Sequence, residues 1–283
     1  MRSRLNDVPS NDANPTASVA IARPNFKQIY RRWSHDAANA KAASRHRSSS
    51  IAGCVYNRRM VTATDERNNG SIFAREVLQR LETHFGRPNW KVEHPPLDEL
   101  VLTILSQHTS DINCERAFAS LRAVYPTWEA VVEAPDEAIA DAIRAGGLAR
   151  VKAPRIKMVV SRVLAGNLLD GIEERPLAEA KALLRSLPGV GPKTAACVLL
   201  FACRRPALPV DTHVYRVSQR VGLIEGSTNP EEAHETLEAL LDPQDVYSFH
   251  INMIRHGRAI CRARSPQCAS CPIADLCRHP VNA

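Results

Sequence analysis

Four cysteines fall within seventeen residues near the C-terminus, in "CRARSPQCASCPIADLC": Cys261, Cys268, Cys271 and Cys277, spaced C-x6-C-x2-C-x5-C. The segment is polar and rich in arginine, so four chance core cysteines would have no core to occupy. No secretory signal peptide is evident, which makes disulfides a poor default. Four thiolates gathered by a short loop suit a tetrahedral zinc or an iron–sulfur cluster. Zinc sites usually pair two C-x2-C knuckles across a longer gap, and only one knuckle is present here. The compact, unequal gaps favour a [4Fe–4S] cluster, with zinc as the alternative.

Upstream, the sequence reads as one helix after another. "SIFAREVLQRLETHF" is amphipathic. "LDELVLTILS" repeats apolar residues at helical spacing after the Pro95–Pro96 stop. "PDEAIADAIRAGG" opens on proline and acids and ends at Gly146–Gly147. "VKAPRIKMVVSRVLAG" and "DVYSFHINMIRHG" continue the pattern. In "NPEEAHETLEALL", Asn229 is a candidate N-cap, with Glu232 three residues on. Alternating strand patterns with hairpin turns are absent, so the expected class is all-α. The longest uninterrupted apolar run, "AACVLLFAC", is too short for the roughly 18–20 residues that cross a bilayer. The chain is therefore read as soluble, with no membrane partner.

The stretch "LPGVGPKTAACVLL", Leu187 to Leu200, is a helix–short turn–helix. Its glycines permit backbone angles closed to other residues and let peptide N–H groups approach a phosphate at the start of the second helix. Pro192 suits a first helical turn. A P-loop does not fit, because Pro192 stands before Lys193 where that motif has glycine. A plain corner between helices is the bland alternative. Lys193 is poorly placed as a structural cation, since the helix dipole disfavours its ammonium. Burial is expected to lower its pKa further, and a neutral amine is a nucleophile able to form a Schiff base. Eighteen residues on, "PVDTHVYRVSQRVG" begins another helix with Asp211. That carboxylate is either a simple N-cap or a partner that supports cationic sugar character or proton transfer.

Charge is distributed unevenly. Residues 1–59 hold eleven Lys/Arg against three Asp/Glu, a net +8, and the rest holds 26 against 27, a net −1. A nucleic-acid footprint beyond the tail must therefore be local. Candidate patches are Ala142–Leu169, with six basic residues and no acid, and Arg255–Arg278, with five arginines opposed by Asp275. Solvated helix faces are the competing reading of both. Residues 1–65 lack apolar periodicity and are expected to form a disordered basic tail. An organelle transit peptide, or a true start at Met60, are the alternatives.

Together these residues resemble the endonuclease III branch of the helix–hairpin–helix DNA glycosylases, over about residues 71–279. "LPGVGPKTA" resembles that family's hairpin with its catalytic lysine, "VDTHVYRV" its catalytic aspartate segment, and "HGRAIC" its approach to a cluster of this cysteine spacing. The resemblance implies a six-helix barrel at about 94–206. It also implies a discontinuous [4Fe–4S] domain from about 71–93 and 207–279, with a DNA cleft between the two. It further implies a monomer that removes oxidised pyrimidines from double-stranded DNA by base flipping. Lys193 would attack the sugar C1′ and Asp211 would support base release. β-Elimination would then cut the strand 3′ to the abasic site. Cys261, Cys268, Cys271 and Cys277 would hold the cluster. DNA contacts are expected from Leu187, Gly189, Val190 and Gly191 of the hairpin, and from Arg262 and Arg264 of the cysteine loop.

One segment departs from the family. Where "LSAQATD" is usual, this chain reads "LSQHTSD", which puts His108 in the slot of the gap-filling glutamine, with Gln107 just before it. Either side chain is a candidate to fill the gap, or the change shifts lesion or opposite-base preference. A non-catalytic damage-sensing module, or a monofunctional glycosylase for mismatched or alkylated bases, are the competing functions. The adenine-mismatch branch fits less well, because it typically lacks this lysine and adds a C-terminal recognition domain. The expected location is intracellular, at the nucleoid of a bacterium, or mitochondrial or nuclear if the tail is a targeting peptide.

Overall fold

The structure, a computed structural model, describes residues 63–279. Among the described residues it is helical throughout, as expected. Its α-helices are α1 (Ala63–Phe85), α2 (Pro96–Ser106), α3 (Asp111–Val124), α4 (Trp128–Glu133), α5 (Asp136–Ala142), α6 (Ala149–Gly166), α7 (Leu177–Arg185), α8 (Pro192–Cys197), α9 (Thr212–Val221), α10 (Pro230–Glu238) and α11 (Val246–Ala259). Residues 1–62, which include most of the expected tail and Met60, lie outside the described residues. Helix α1 starts at Ala63, so the last three residues assigned to the tail are helical.

Local chemistry sets the helix ends. Ser110 and Thr127 accept from the backbone three residues on. Asn229 and Glu232 form the reciprocal capping box expected of them. Helix α6 stops at Asn167 in the left-handed conformation, and α9 at Gly222, also left-handed.

Two apolar cores result. The first gathers α2 through α8 around Leu100, Ile104, Leu121, Ile156 and Leu184. The second gathers α1, α9, α10 and α11 around Leu81, Val217, Leu237 and Phe249, and takes in Ile273 from the cysteine segment. Helix α11 packs against both α9 and α1. The cores meet just after α8, where Val198–Ala202 forms a π turn. Val198 and Leu199 point into the first core and Leu200 into the second. Trp90 fixes this crossing by donating to the Leu200 carbonyl at 2.8 Å. Single π turns inside helices are found often at functional sites, and this one follows the end of α8, the helix that carries Lys193.

Candidate active site

The turn between α7 and α8 is held from below. Leu184, Leu187 and Val190 are buried in the first core, and the Val190 N–H closes the turn on the Leu187 carbonyl. The side chains of Leu187 and Val190 therefore pack the hairpin from below, which leaves any DNA contact at these two positions to their backbone. Gly189 is left-handed at φ 72, and a Cβ there would stand 2.8 Å from Arg155 Nε. A Cβ on Gly191 would meet nothing within 4 Å, so this face of the hairpin is open. Pro192 occupies the first turn of α8, and half-buried Lys193 follows.

Lys193 and Asp211 line one cavity of about 210 Å³, together with Glu99, Cys197, Tyr247 and His250. The cavity lies where the two cores meet. The N-cap reading of Asp211 holds, and the capping side chain also lies on the cavity wall. Its Oδ1 accepts the His213 and Val214 N–H groups at 2.8 and 2.7 Å, capping α9, and the same carboxylate faces the cavity. The expected lowering of Lys193 is not met. Its pKa is raised, chiefly by Cys197 one turn on in α8, against the lowering effect of burial; hydrogen bonding to Cys197 and the charges of Asp211 and Glu99 add to the rise. In the free protein Lys193 carries its proton, so a nucleophilic amine must first lose one.

Glu99 did not figure among the expected site residues. It is 8% exposed in the first turn of α2, and its Oε1 accepts from Thr103 Oγ1 at 3.2 Å. Burial pushes its carboxyl up to about 8, with Thr103 and Lys193 opposing and Glu93 adding. The available signal was a polar stripe inside an apolar helix: Glu99, Thr103 and Ser106 fall on one side of α2 at helical spacing, and all three line the cavity.

Beside the cavity, Gln107 and His108 part company. Gln107 is partly buried, and its Oε1 accepts from Arg155 Nη1 at 3.2 Å. His108 is exposed and left-handed at φ 55. Leu148, also passed over in sequence, is 55% exposed and left-handed at φ 48. A non-glycine residue held there is strained, a state that clusters at functional sites. The basic stretch 142–169 does not form one surface patch. Lys152 is buried and donates to the Leu105 and Gly146 carbonyls, Lys157 donates to Ala134 O, and Arg144 pairs with Asp141.

The four C-terminal cysteines line a second, smaller cavity with Arg220 and His256. Among the described residues no three His, Cys, Asp or Glu side chains are arranged to hold a single metal ion. The thiols instead surround a common space, which suits a cluster in which each thiolate meets its own iron. Arg220, absent from the expected site, braces the loop by donating to the Arg262 and Ala263 carbonyls at 2.7 and 3.0 Å, and lies 3.4 Å from Cys261 Sγ. Arg262 and Arg264 are exposed on that loop.

Comparison with known proteins agrees with this arrangement. Residues 101–243 match the model of the HhH-GPD superfamily of base excision DNA repair proteins, and residues 261–277 match the iron–sulfur binding domain of endonuclease III. Endonuclease III of Thermotoga maritima is 38% identical over 72% of this chain and 90% of its own length. That of Escherichia coli is 34% identical over 72% and 94%. A solved endonuclease III, trapped as a covalent intermediate with DNA, superposes with a TM-score of 0.64 at 31% identity, covering 74% of this chain and 95% of that one.

Proposed function

The chain belongs to the HhH-GPD superfamily of base excision DNA repair proteins, and from that membership we propose a bifunctional DNA glycosylase and abasic-site lyase that acts, as a monomer, on oxidised pyrimidines in double-stranded DNA. The observation that carries this reading is the meeting of Lys193 and Asp211 in one cavity.

The damaged nucleotide is flipped out of the duplex into that cavity. Exposed His108 and Leu148 occupy the space it leaves, the first through its imidazole and the second as an apolar wedge. The hairpin backbone of Gly189 and Gly191, open on the Gly191 side, grips a phosphate. Lys193 Nζ, once neutral, bonds to the sugar C1′ that the base has left. Asp211 stabilises cationic character on the sugar during that step. The Schiff base then permits β-elimination, which cuts the strand on the 3′ side. The cysteines hold a [4Fe–4S] cluster whose contribution is structural. Arg220 and the thiol ligands together present Arg262 and Arg264 to the phosphates.

Borohydride trapping tests the reading. Incubation with thymine-glycol and abasic duplexes should leave a covalent adduct whose peptide contains Lys193. Lys193→Gln should abolish both trapping and strand cleavage while DNA binding persists. Lys193→Arg should not rescue, because guanidinium stays protonated. Full cleavage by Lys193→Gln would remove the lyase assignment and leave a monofunctional or merely DNA-binding protein.

A further inference from the structure

We propose that Glu99 is the general acid of base release: its carboxyl gives a proton to the departing base, and the resulting carboxylate then takes a proton from Lys193, freeing the amine to attack the sugar. The proposal rests on the assignment of Lys193 as nucleophile.

Three observations lead to it. First, Glu99 is buried on the wall of the cavity that holds Lys193 and Asp211, so a base drawn into that space comes within its reach. Second, its hydrogen-bond partner Thr103 is neutral, and burial outweighs the nearby ammonium. At neutral pH the group is therefore chiefly a carboxylic acid, able to donate. Third, Lys193 rests as an ammonium and cannot attack until something removes a proton. A mechanism in which the lysine displaces the base directly has to discard that proton beforehand. If Glu99 acts first, the two problems solve each other.

The steps balance. The C1′–N bond breaks with its electron pair passing to the base, and the Glu99 proton neutralises the nitrogen or oxygen that receives the charge. The sugar is left cationic, facing the Asp211 carboxylate. Glu99, now ionised, accepts a proton from the Lys193 ammonium and returns to its acid form. The neutral amine bonds to C1′ with its lone pair. No external acid, base or oxidant is consumed. A preformed abasic site offers no base to protonate; there the Lys193 ammonium gives its proton to solvent base entering the open cavity before it attacks, and this Glu99 cycle is not used.

Glu99 shares the cavity wall with Lys193 and Cys197 of α8, Asp211 at the start of α9, Tyr247, His250 and Arg258 of α11, Lys91, Glu93 and His94 of the preceding loop, and Asp111, Cys114 and Glu115 of α3. Loss of its proton should therefore slow base release alone on the alkaline side of about pH 8.

Glu99→Gln keeps the shape and removes the proton. Single-turnover base release from a thymine-glycol duplex should slow by about 100-fold or more, the scale of general acid catalysis. Cleavage and borohydride trapping of a preformed abasic duplex should stay within about threefold, which also shows that the variant is folded. The deficit should shrink for a lesion base that leaves as a weaker base. In the unaltered protein, base release should fall above about pH 8 while abasic-site cleavage does not, a test that needs no variant. Base release unchanged by Glu99→Gln, or an equal loss in both assays, overturns the proposal. Failure of the unaltered protein to trap any DNA would instead overturn the Lys193 assignment beneath it.

Discussion

The buried ammonium of Lys152 donates to the Leu105 carbonyl at 2.7 Å, and the same nitrogen reaches Gly146 O at 2.8 Å. These carbonyls end α2 and the turn before α6, the two segments that present left-handed His108 and Leu148. One side chain thus fixes both candidate wedges relative to each other. Lys152→Met fills similar space but leaves two buried carbonyls without a donor, at a cost of about 2–4 kcal/mol. The expected result is a lower urea midpoint, with lesion processing slowed more than non-specific DNA binding. A variant with unchanged midpoint and activity would show that the loops hold without this clamp.

Gly189 tests the hairpin. Its φ of 72 is unfavourable for any side chain, and Arg155 occupies the space a Cβ would take. Gly189→Ala should push Arg155 away and so loosen its bond to Gln107 as well. DNA affinity should fall alike for every sequence, because the contact concerned is to phosphate. Titration of intact, lesion-free duplex checks this, and a loss confined to damaged duplex would contradict it.

Much of this was legible from local pattern. The capping box of Asn229 and Glu232, the hairpin glycines and the cysteine spacing are each written within a few consecutive residues. What escaped depends on partners far away in sequence. Lys152 and Arg155 look like surface charge until Leu105, Gly146 and Gln107 are seen beside them. The upward shift of Lys193 escapes the local sequence for a related reason. The dipole and burial both point downward, but Cys197, four residues on in the same helix, acts in the opposite direction, and Asp211 and Glu99 approach from other elements. Helix α3 was passed over although Cys114, Ala117, Phe118 and Leu121 repeat at helical spacing, since its exposed face is crowded with polar residues.

The cysteine loop invites two separable changes. Arg262→Ala with Arg264→Ala removes exposed charge, and should flatten the dependence of log affinity on log salt by up to about two units. Iron content should be unaffected. Arg220→Ala instead removes the donor to the Arg262 and Ala263 carbonyls and should reduce visible absorbance and bound iron per chain. Normal iron in Arg220→Ala would show that the thiolates alone order the loop. Colourless, active protein with one zinc would sink the cluster.

His250 should make the protein acid-sensitive. Its ring nitrogen donates to the Pro209 carbonyl at 2.8 Å within the second core, and burial lowers its pKa to about 4, aided by Lys193 and opposed by Asp211 and that carbonyl. An unfolded histidine titrates near 6.5, so below that pH the unfolded chain takes up a proton that the folded one refuses. The stability contributed by neutral His250 is therefore complete above about pH 6.5 and is lost as pH falls towards 4. The loss across that window is on the order of 3 kcal/mol. His250→Asn removes the titration while keeping a side-chain donor. Urea unfolding at pH 7 and pH 5 should show the unaltered protein losing more stability than the variant between the two. Equal losses would place the acid sensitivity elsewhere.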